Sequence, residues 1–75
     1  MTDRKKIRYF YRGVEEYEKQ EGQVKEIIQK DTGEHVWMEN MSLPPIGYPP
    51  PLTTESIEKL KGLEGVMVDE VDNND

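Results

Sequence analysis

A chain of 75 residues provides one small domain with a thin apolar core. It contains no cysteine and a single histidine, His35, which excludes disulfides, thiolate metal sites and a zinc site built from several imidazoles. No apolar run reaches the roughly 18 residues of a membrane span, and the basic residues 4–6 are not followed by the apolar stretch of a signal peptide. A cytoplasmic protein is therefore expected.

The charge is distributed unevenly along the chain. Sixteen acidic residues against ten basic ones give a net charge of -6. Residues 1–13 hold five basic residues against Asp3 alone, a net +4, whereas residues 14–75 hold fifteen acidic residues against five lysines, a net -10. An acidic body repels the phosphates of nucleic acid and attracts basic partners. The composition therefore predicts a basic protein as partner.

The first predicted element is a strand at residues 6–12, K-I-R-Y-F-Y-R, in which apolar or aromatic residues alternate with basic ones. Phe10 breaks the alternation and places an apolar group on the basic face. Residues 14–21 lie between two glycines and consist mostly of good helix formers. Two helical turns are marginal without tertiary packing, so a short helix and a solvated loop both stay open for this segment.

The middle of the chain predicts a β-hairpin. Residues 23–29 and residues 34–40 each contain three large apolar residues, which indicates two strands. The polar connection at residues 30–33 ends in Gly33, which can adopt the left-handed conformation that such turns require.

All five prolines lie in residues 42–52, S-L-P-P-I-G-Y-P-P-P-L. Proline fixes φ and removes a backbone donor, so it is excluded from central strands. The segment is predicted to be an extended crossover, polyproline II or irregular, that stays out of the centre of the sheet.

The clearest helix is predicted at residues 53–61. Thr53 can be its N-cap, with a side-chain oxygen that accepts a hydrogen bond from a backbone N–H of the first turn. Gly62 occupies the position of a C-terminal glycine cap. Leu52 and Ile57 stand at the two positions of a hydrophobic staple. These signals agree with one another, so both ends of the helix are predicted.

A short strand at residues 66–71 completes a single α+β domain over residues 1–71, and the acidic residues 72–75 are predicted to be a disordered tail. If residues 14–21 are helical, the element order is βαββαβ, the ferredoxin-like pattern, which is favoured. If they are not, three strands precede one helix and one strand, and an SH3-like small barrel with an appended helix is the alternative.

Residues 51–71, P-L-T-T-E-S-I-E-K-L-K-G-L-E-G-V-M-V-D-E-V, resemble the closing helix and strand of subtilisin-type propeptides and related inhibitor domains, and the matching segment of plant organellar RNA-editing factors. The shared features are a polar cap before the helix and a Leu-x-Gly-Val strand entry, here residues 63–66. Both families are ferredoxin-like, so the resemblance implies that topology. It also implies inhibition of a protease, or assistance of its folding, by a C-terminal tail that enters the protease cleft.

No catalytic constellation is visible in the sequence. There is no cysteine nucleophile and no glycine-rich phosphate loop, and no residue near His35 in the sequence makes it a base. A chain of this size rarely encloses a cleft of the several hundred Å³ that substrates need. A protein that is not an enzyme and has no cofactor or metal is expected.

The basic strand and the proline segment are two candidate binding surfaces. Residues 5–12 combine cations with aromatic residues, which is the composition of a single-stranded nucleic-acid platform. The competing interpretation is that Tyr9 and Tyr11 belong to the core and the basic residues to the solvent face. The proline segment has neither P-x-x-P nor P-P-x-Y spacing, so a stiff connector that packs Tyr48 on the sheet is expected.

The acidic surface is the third candidate. Carboxylates on a small rigid domain can imitate the phosphates of DNA and occupy the binding site of a basic protein, although charge runs usually serve solubility. The predicted partner-binding residues form two groups, the first being Glu15, Glu16, Glu18 and Glu21 and the second Glu64, Asp69, Glu70 and Asp72.

The expected function is therefore that of a small acidic inhibitor or modulator that binds another protein. The most specific form of this hypothesis is a DNA mimic that blocks a basic, nucleic-acid-binding partner, as small acidic phage proteins do to their hosts. The alternatives are a propeptide-like protease inhibitor or folding helper, and a single-stranded nucleic-acid-binding module that uses the basic aromatic strand. Direct nucleic-acid binding is disfavoured by the net negative charge.

Overall fold

The computed structural model describes residues 3–71 and contains two helices and two antiparallel sheets. The strands are β1 (Arg4–Lys5), β2 (Ile7–Tyr11), β3 (Met38–Glu39), β4 (Gly47–Tyr48), β5 (Leu52–Thr53) and β6 (Val66–Glu70), and the helices are α1 (Val14–Thr32) and α2 (Thr54–Lys61). The α+β class predicted from the sequence is confirmed. The predicted tail at residues 72–75 lies outside the described residues.

The larger sheet has four strands in the order β3-β4-β2-β6, and each neighbouring pair is antiparallel. β1 and β5 form a separate two-stranded ladder. Along the chain, the four strands of the larger sheet alternate with the helices as strand, helix, strand, strand, helix, strand. The barrel alternative required residues 14–21 to be non-helical, whereas they form the first half of α1. The ferredoxin-like assignment stays a prediction.

Both helices pack against the same face of the larger sheet. Alternation along β2 directs every second side chain toward them, and α1 and α2 supply the opposite side of the core. Each of these apolar side chains contributes about 1.5–3 kcal/mol when fully buried. The buried apolar residues are Ile7, Tyr9, Tyr11, Val24, Ile28, Leu52, Ile57, Leu60 and Val66.

The predicted hairpin is wrong in its first strand, because residues 23–29 belong to α1. Gly22 suggested an end to the helix, but α1 continues through it for ten more residues. A glycine costs a helix about 1 kcal/mol relative to alanine. Burial of Val24 and Ile28 on the core side of α1 offsets that cost. Of the second predicted strand, residues 34–40, only β3 is extended and paired.

Gly33 adopts the left-handed conformation expected of it, with φ of 78°, but it terminates a helix instead of turning a hairpin. Its backbone N–H donates to the carbonyl oxygen of Gln29 at 2.8 Å. Left-handed glycines serve helix ends and tight turns equally well. The local sequence therefore specified the backbone conformation and left the element type undecided.

The prediction that the proline segment stays out of the sheet centre is also wrong. β4 lies inside this segment and is a central strand, paired with β3 on one side and β2 on the other. The prolines flank Gly47 and Tyr48, which retain the N–H groups that the ladder needs. The side chain of Asn40 supports the approach to β4, since its Oδ1 accepts from the backbone N–H of Ile46 at 2.9 Å.

The C-terminal helix follows its sequence signals closely. The Oγ1 of Thr53 accepts from the backbone N–H of Ser56 at 3.2 Å, which confirms the predicted N-cap. Leu52 and Ile57 are both buried, as the hydrophobic staple requires. Gly62 ends the helix with φ of -77°, so the left-handed freedom of glycine is not used there. β6 follows and confirms the last predicted strand, apart from its final residue.

Candidate functional site

The larger sheet has a second face that neither helix covers, which we call the open face. Its side chains alternate with the buried ones along each strand, because successive residues of a strand point to opposite faces. Two of its apolar residues are half-buried and three are more exposed, at 72% for Met38, 45% for Met67 and 39% for Tyr48. The open face consists of Arg8, Phe10, Met38, Ile46, Tyr48, Met67 and Asp69.

The strand register gathers the apolar residues of the open face into one patch. Phe10 stands opposite Met67 across β2 and β6, and Tyr48 stands opposite Met38 across β4 and β3. Tyr9 is paired with Gly47, which places Ile46 beside Phe10. Four apolar side chains from the four strands, together with Ile46 just before β4, are therefore neighbours on a solvent-facing surface, and such patches mark sites of association.

Ion pairs neutralise the basic strand. Arg8 on the open face contacts Asp69 with 3.2 Å between Nη2 and Oδ2, so the two charges on this face cancel. Tyr9 and Tyr11 lie in the core, which is the alternative expected for a strand of this composition. A platform for nucleic acid needs cations that are free to meet phosphates. The other basic residues of this segment with a carboxylate partner are Arg4 with Asp31 at 3.5 Å, Lys5 with Glu70 at 3.9 Å and Arg12 with Glu16 at 3.7 Å.

The eight predicted partner-binding carboxylates do not form one surface. Four of them lie in the first half of α1, on the helical side of the sheet, whereas Asp69 belongs to the open face on the other side. Glu64 precedes β6 and Glu70 ends it. Asp72 lies outside the described residues.

Half of these carboxylates are also committed to contacts within the chain. Glu21 contacts Lys25 at 3.4 Å and accepts from the hydroxyl of Tyr17 at 3.3 Å. Glu16, Asp69 and Glu70 pair with the basic residues named above. Within residues 3–71, exposed carboxylates of the predicted set without an ion pair are Glu15, Glu18 and Glu64.

A partly buried hydrogen-bond network holds β3 and β4 beside β2. The hydroxyl of Tyr9 donates to Glu39 Oε2 at 2.7 Å and accepts from Trp37 Nε1 at 2.8 Å. Burial raises the pKa of Tyr9 above its ordinary value, and the Glu39 carboxylate acts in the same direction. Gly47 lies flat against the Tyr9 ring, where a Cβ would overlap the ring atoms. These contacts position the open-face residues of β3 and β4.

Tyr11 lacks the partners that Tyr9 has. Its hydroxyl is buried without a hydrogen-bond partner in the described part of the chain, and burial raises its pKa. Its ring contacts the rings of Tyr9 and Tyr17 edge to face, with centroids 6.0 and 5.2 Å apart. Apolar packing therefore holds Tyr11 in the core.

Depressions lined by residues of the described range, 3–71, also lie away from the open face. One of about 510 Å³ separates α1 from the start of α2, and Asp31 at its wall accepts from the backbone N–H of Thr53 at 3.0 Å while pairing with Arg4. A shallower one of about 200 Å³ adjoins the exposed His35 beside Trp37. Residues 3–71 hold no cluster of three His, Asp or Glu side chains suited to a metal ion. Neither helix in this range is long and apolar enough to cross a bilayer.

No family model, curated protein or solved structure matches this chain. The resemblance of residues 51–71 to propeptide-like domains and RNA-editing factors accordingly stays a prediction. The open face is likewise identified only from the strand register and from the exposure of its side chains. Of its apolar residues, the sequence indicated only Phe10, through the break in alternation along β2, because Ile46 and Tyr48 stand among prolines and Met38 in a wrongly predicted hairpin.

Proposed function

We propose that this protein is a small protein-binding modulator that docks its partner on the open face of the larger sheet. The observation that carries this proposal is the contiguous patch of five apolar side chains on a face that no helix covers. Leaving such a patch in water forgoes stabilisation that burial would give. A partner that covers it recovers this free energy as affinity.

The residue types of the open face support association with protein. Aromatic residues, methionine and arginine are enriched in the buried centres of protein interfaces. Met38 and Met67 have flexible, polarisable side chains that adapt to the surface of a partner. The Arg8–Asp69 pair adds no net charge, so the open face as a whole is mostly apolar and neutral. A protein surface fits this chemistry better than a phosphate backbone does.

Capture by the immobilised chain from a nuclease-treated lysate tests the proposal, with two matched variants. Met67→Lys places a charge on the open face, and Val14→Lys places the same charge on α1; the two parent side chains are 45% and 43% exposed. We expect wild type and Val14→Lys to retain the same protein at about 0.5 M salt, because apolar contacts are not screened. Met67→Lys should lose it. Retention that is indifferent to Met67→Lys would contradict docking on this face.

Inhibition of a basic, nucleic-acid-binding protein is the second candidate function. It is supported by Glu15 and Glu18, which are exposed on α1 and have no ion pair within residues 3–71. Their reversal to lysine should weaken capture of a basic partner, and salt should release that partner, because such an interface is electrostatic. Capture that survives both treatments would exclude the DNA-mimic hypothesis for α1. The propeptide-like alternative depends on the C-terminal tail, whose last residues lie outside the described range.

A further inference from the structure

We infer that the partner of the open face is a second copy of this chain, so that two open faces pack together in a two-fold symmetric dimer. The inference rests on the proposed function and names the occupant of the same surface. A closed two-fold interface uses one patch on both subunits, so the patch must complement itself. The open face meets this condition, since it is mostly apolar and its cation and anion, Arg8 and Asp69, neutralise each other within one chain.

Electrostatics favours the open face over the helical side of the molecule for self-association. Two chains of charge -6 repel each other, and contact through the helices would bring the acidic residues of α1 together. Contact through the open faces separates the two helical layers, because sheets stack about 10 Å apart and each helical layer lies roughly 10 Å farther out. The layers are then about 30 Å apart, several times the Debye length of about 8 Å at physiological salt. Their repulsion is therefore largely screened.

The register of the sheet brings suitable side chains together in such a dimer. A two-fold axis that runs along the strands between β4 and β2 exchanges these two strands between the copies. Arg8 of one copy then faces Tyr48 of the other, and Phe10 faces Ile46, with each contact made twice. Guanidinium groups stack favourably on tyrosine rings, and the second pair is apolar. The side chains of β2 in one copy thus complement those at β4 in the other.

Pairing of two β6 edges is a poorer route to a dimer. β6 is the longer edge strand, but it ends in Asp69 and Glu70, and acidic residues on an edge oppose the approach of another negatively charged strand. Phosphate-bearing ligands are also poorer occupants of the open face, because Arg8 is already paired with Asp69. A second copy remains the occupant that the charges and the register favour.

Sedimentation equilibrium of the full chain, from about 5 to about 500 μM, tests the inference. The monomer mass is 8.8 kDa, and twice that mass is expected at the upper concentrations. Added salt should leave the dimer intact or tighten it, because it screens the repulsion between two acidic chains. Met67→Lys should raise the dissociation constant at least tenfold, and Val14→Lys should leave it within about twofold. Circular dichroism checks that both variants are folded.

A second variant keeps the test decisive if Met67→Lys fails to fold. Tyr48→Lys places a cation opposite Arg8 of the other copy and should also raise the dissociation constant at least tenfold. A monomer at all concentrations overturns the inference, as does a dimer that resists both variants. If the chain is monomeric and Met67→Lys abolishes capture of a different protein, only the choice of occupant is wrong. If neither a dimer nor capture depends on the open face, the proposed function is wrong as well.

Discussion

The two faces of the larger sheet are built from the same strands and have opposite roles. On β2, the side chains of Ile7, Tyr9 and Tyr11 are almost inaccessible beneath the helices, whereas Arg8 and Phe10 between them meet solvent. The covered face supplies Ile7, Tyr9, Tyr11 and Val66 to the buried core, and the open face supplies no residue to it. Substitutions on the covered face should therefore change folding, and those on the open face should change association.

Lysine substitutions at two adjacent residues of β6 should differ most in their effect on the free energy of unfolding. Val66 is 6% exposed on the covered face, and its replacement by lysine buries an unpaired charge at a cost of about 3–5 kcal/mol. Since a domain of this size has only about 3–5 kcal/mol of stability, Val66→Lys should be unfolded. Met67→Lys on the open face should stay within about 0.5 kcal/mol of wild type. Urea denaturation at low micromolar concentration measures both, and equal losses would refute the division between the faces.

Gly47 tests how tightly the covered face is packed at β4. A methyl group there would overlap the Tyr9 ring. The ring is held in place by the hydrogen bonds of its hydroxyl, so it cannot shift away without breaking them. Gly47→Ala should lower the free energy of unfolding by about 2–3 kcal/mol. Urea denaturation followed by tryptophan fluorescence is the measurement, since Trp37 is hydrogen-bonded to Tyr9, which packs on Gly47. An unchanged midpoint would mean that β4 packs more loosely than the structure indicates.

Alkaline pH should lower the free energy of unfolding through the two buried tyrosines of the covered face. Burial raises the pKa of Tyr9 and Tyr11 above the ordinary value of 10.0, so the folded chain keeps protons that the unfolded chain releases. Their contribution to stability is complete below about pH 10 and is lost as the pH rises further. Two such groups give a slope of about -2.7 kcal/mol per pH unit. Unfolding free energies between pH 9 and 11 measure it, and Tyr9→Phe should roughly halve the slope.

The two buried tyrosines should respond differently to loss of their hydroxyl groups. Tyr9→Phe leaves Trp37 Nε1 and the Glu39 carboxylate without their shared partner, which should cost about 1–3 kcal/mol. Tyr11→Phe removes a buried hydroxyl that has no partner within residues 3–71, so its stability should be equal or slightly higher. Thermal and urea denaturation at pH 7 compare them. A larger loss for Tyr11→Phe would point to a bonded role for that hydroxyl.

The smallest expected effect concerns the outer surface of α1. Gly22 lies inside this helix with open space around it, so a methyl group meets nothing. Gly22→Ala should raise the free energy of unfolding by about 0.5–1 kcal/mol, because alanine loses less backbone entropy in a helix. Urea denaturation measures it, and the dimer equilibrium should not change. Destabilisation would show that the helix bends or packs at Gly22.

Much of the fold was predictable wherever neighbouring residues suffice. The alternation along β2 and the capping of α2 by Thr53 depend on contacts within a few residues, and both predictions are confirmed. The sequence left residues 14–21 open between a short helix and a loop and predicted a strand at residues 23–29, because Gly22 interrupts the apolar stripe that continues past it. That stripe gains its free energy only from the sheet beneath it, which no local pattern reveals.

The candidate site was less predictable, because its parts are distant in the sequence. Arg8 and Asp69 are 61 residues apart, and their ion pair turns a basic strand and an acidic one into a neutral surface. Counting charges along the chain could not anticipate that cancellation. The sequence predicts Tyr48 in a stiff connector that packs on the sheet, and only its pairing with Met38 places it on the open face.

The α+β class, the buried residues of β2, the N-cap of the C-terminal helix and the acidic surplus follow from the amino-acid sequence alone. Each of these depends on composition or on residues close in the chain. The central position of β4, the packing of both helices on one face of the sheet and the open opposite face become visible only in the folded molecule. Those features depend on contacts between distant segments, whose free energies appear only when the whole chain packs together.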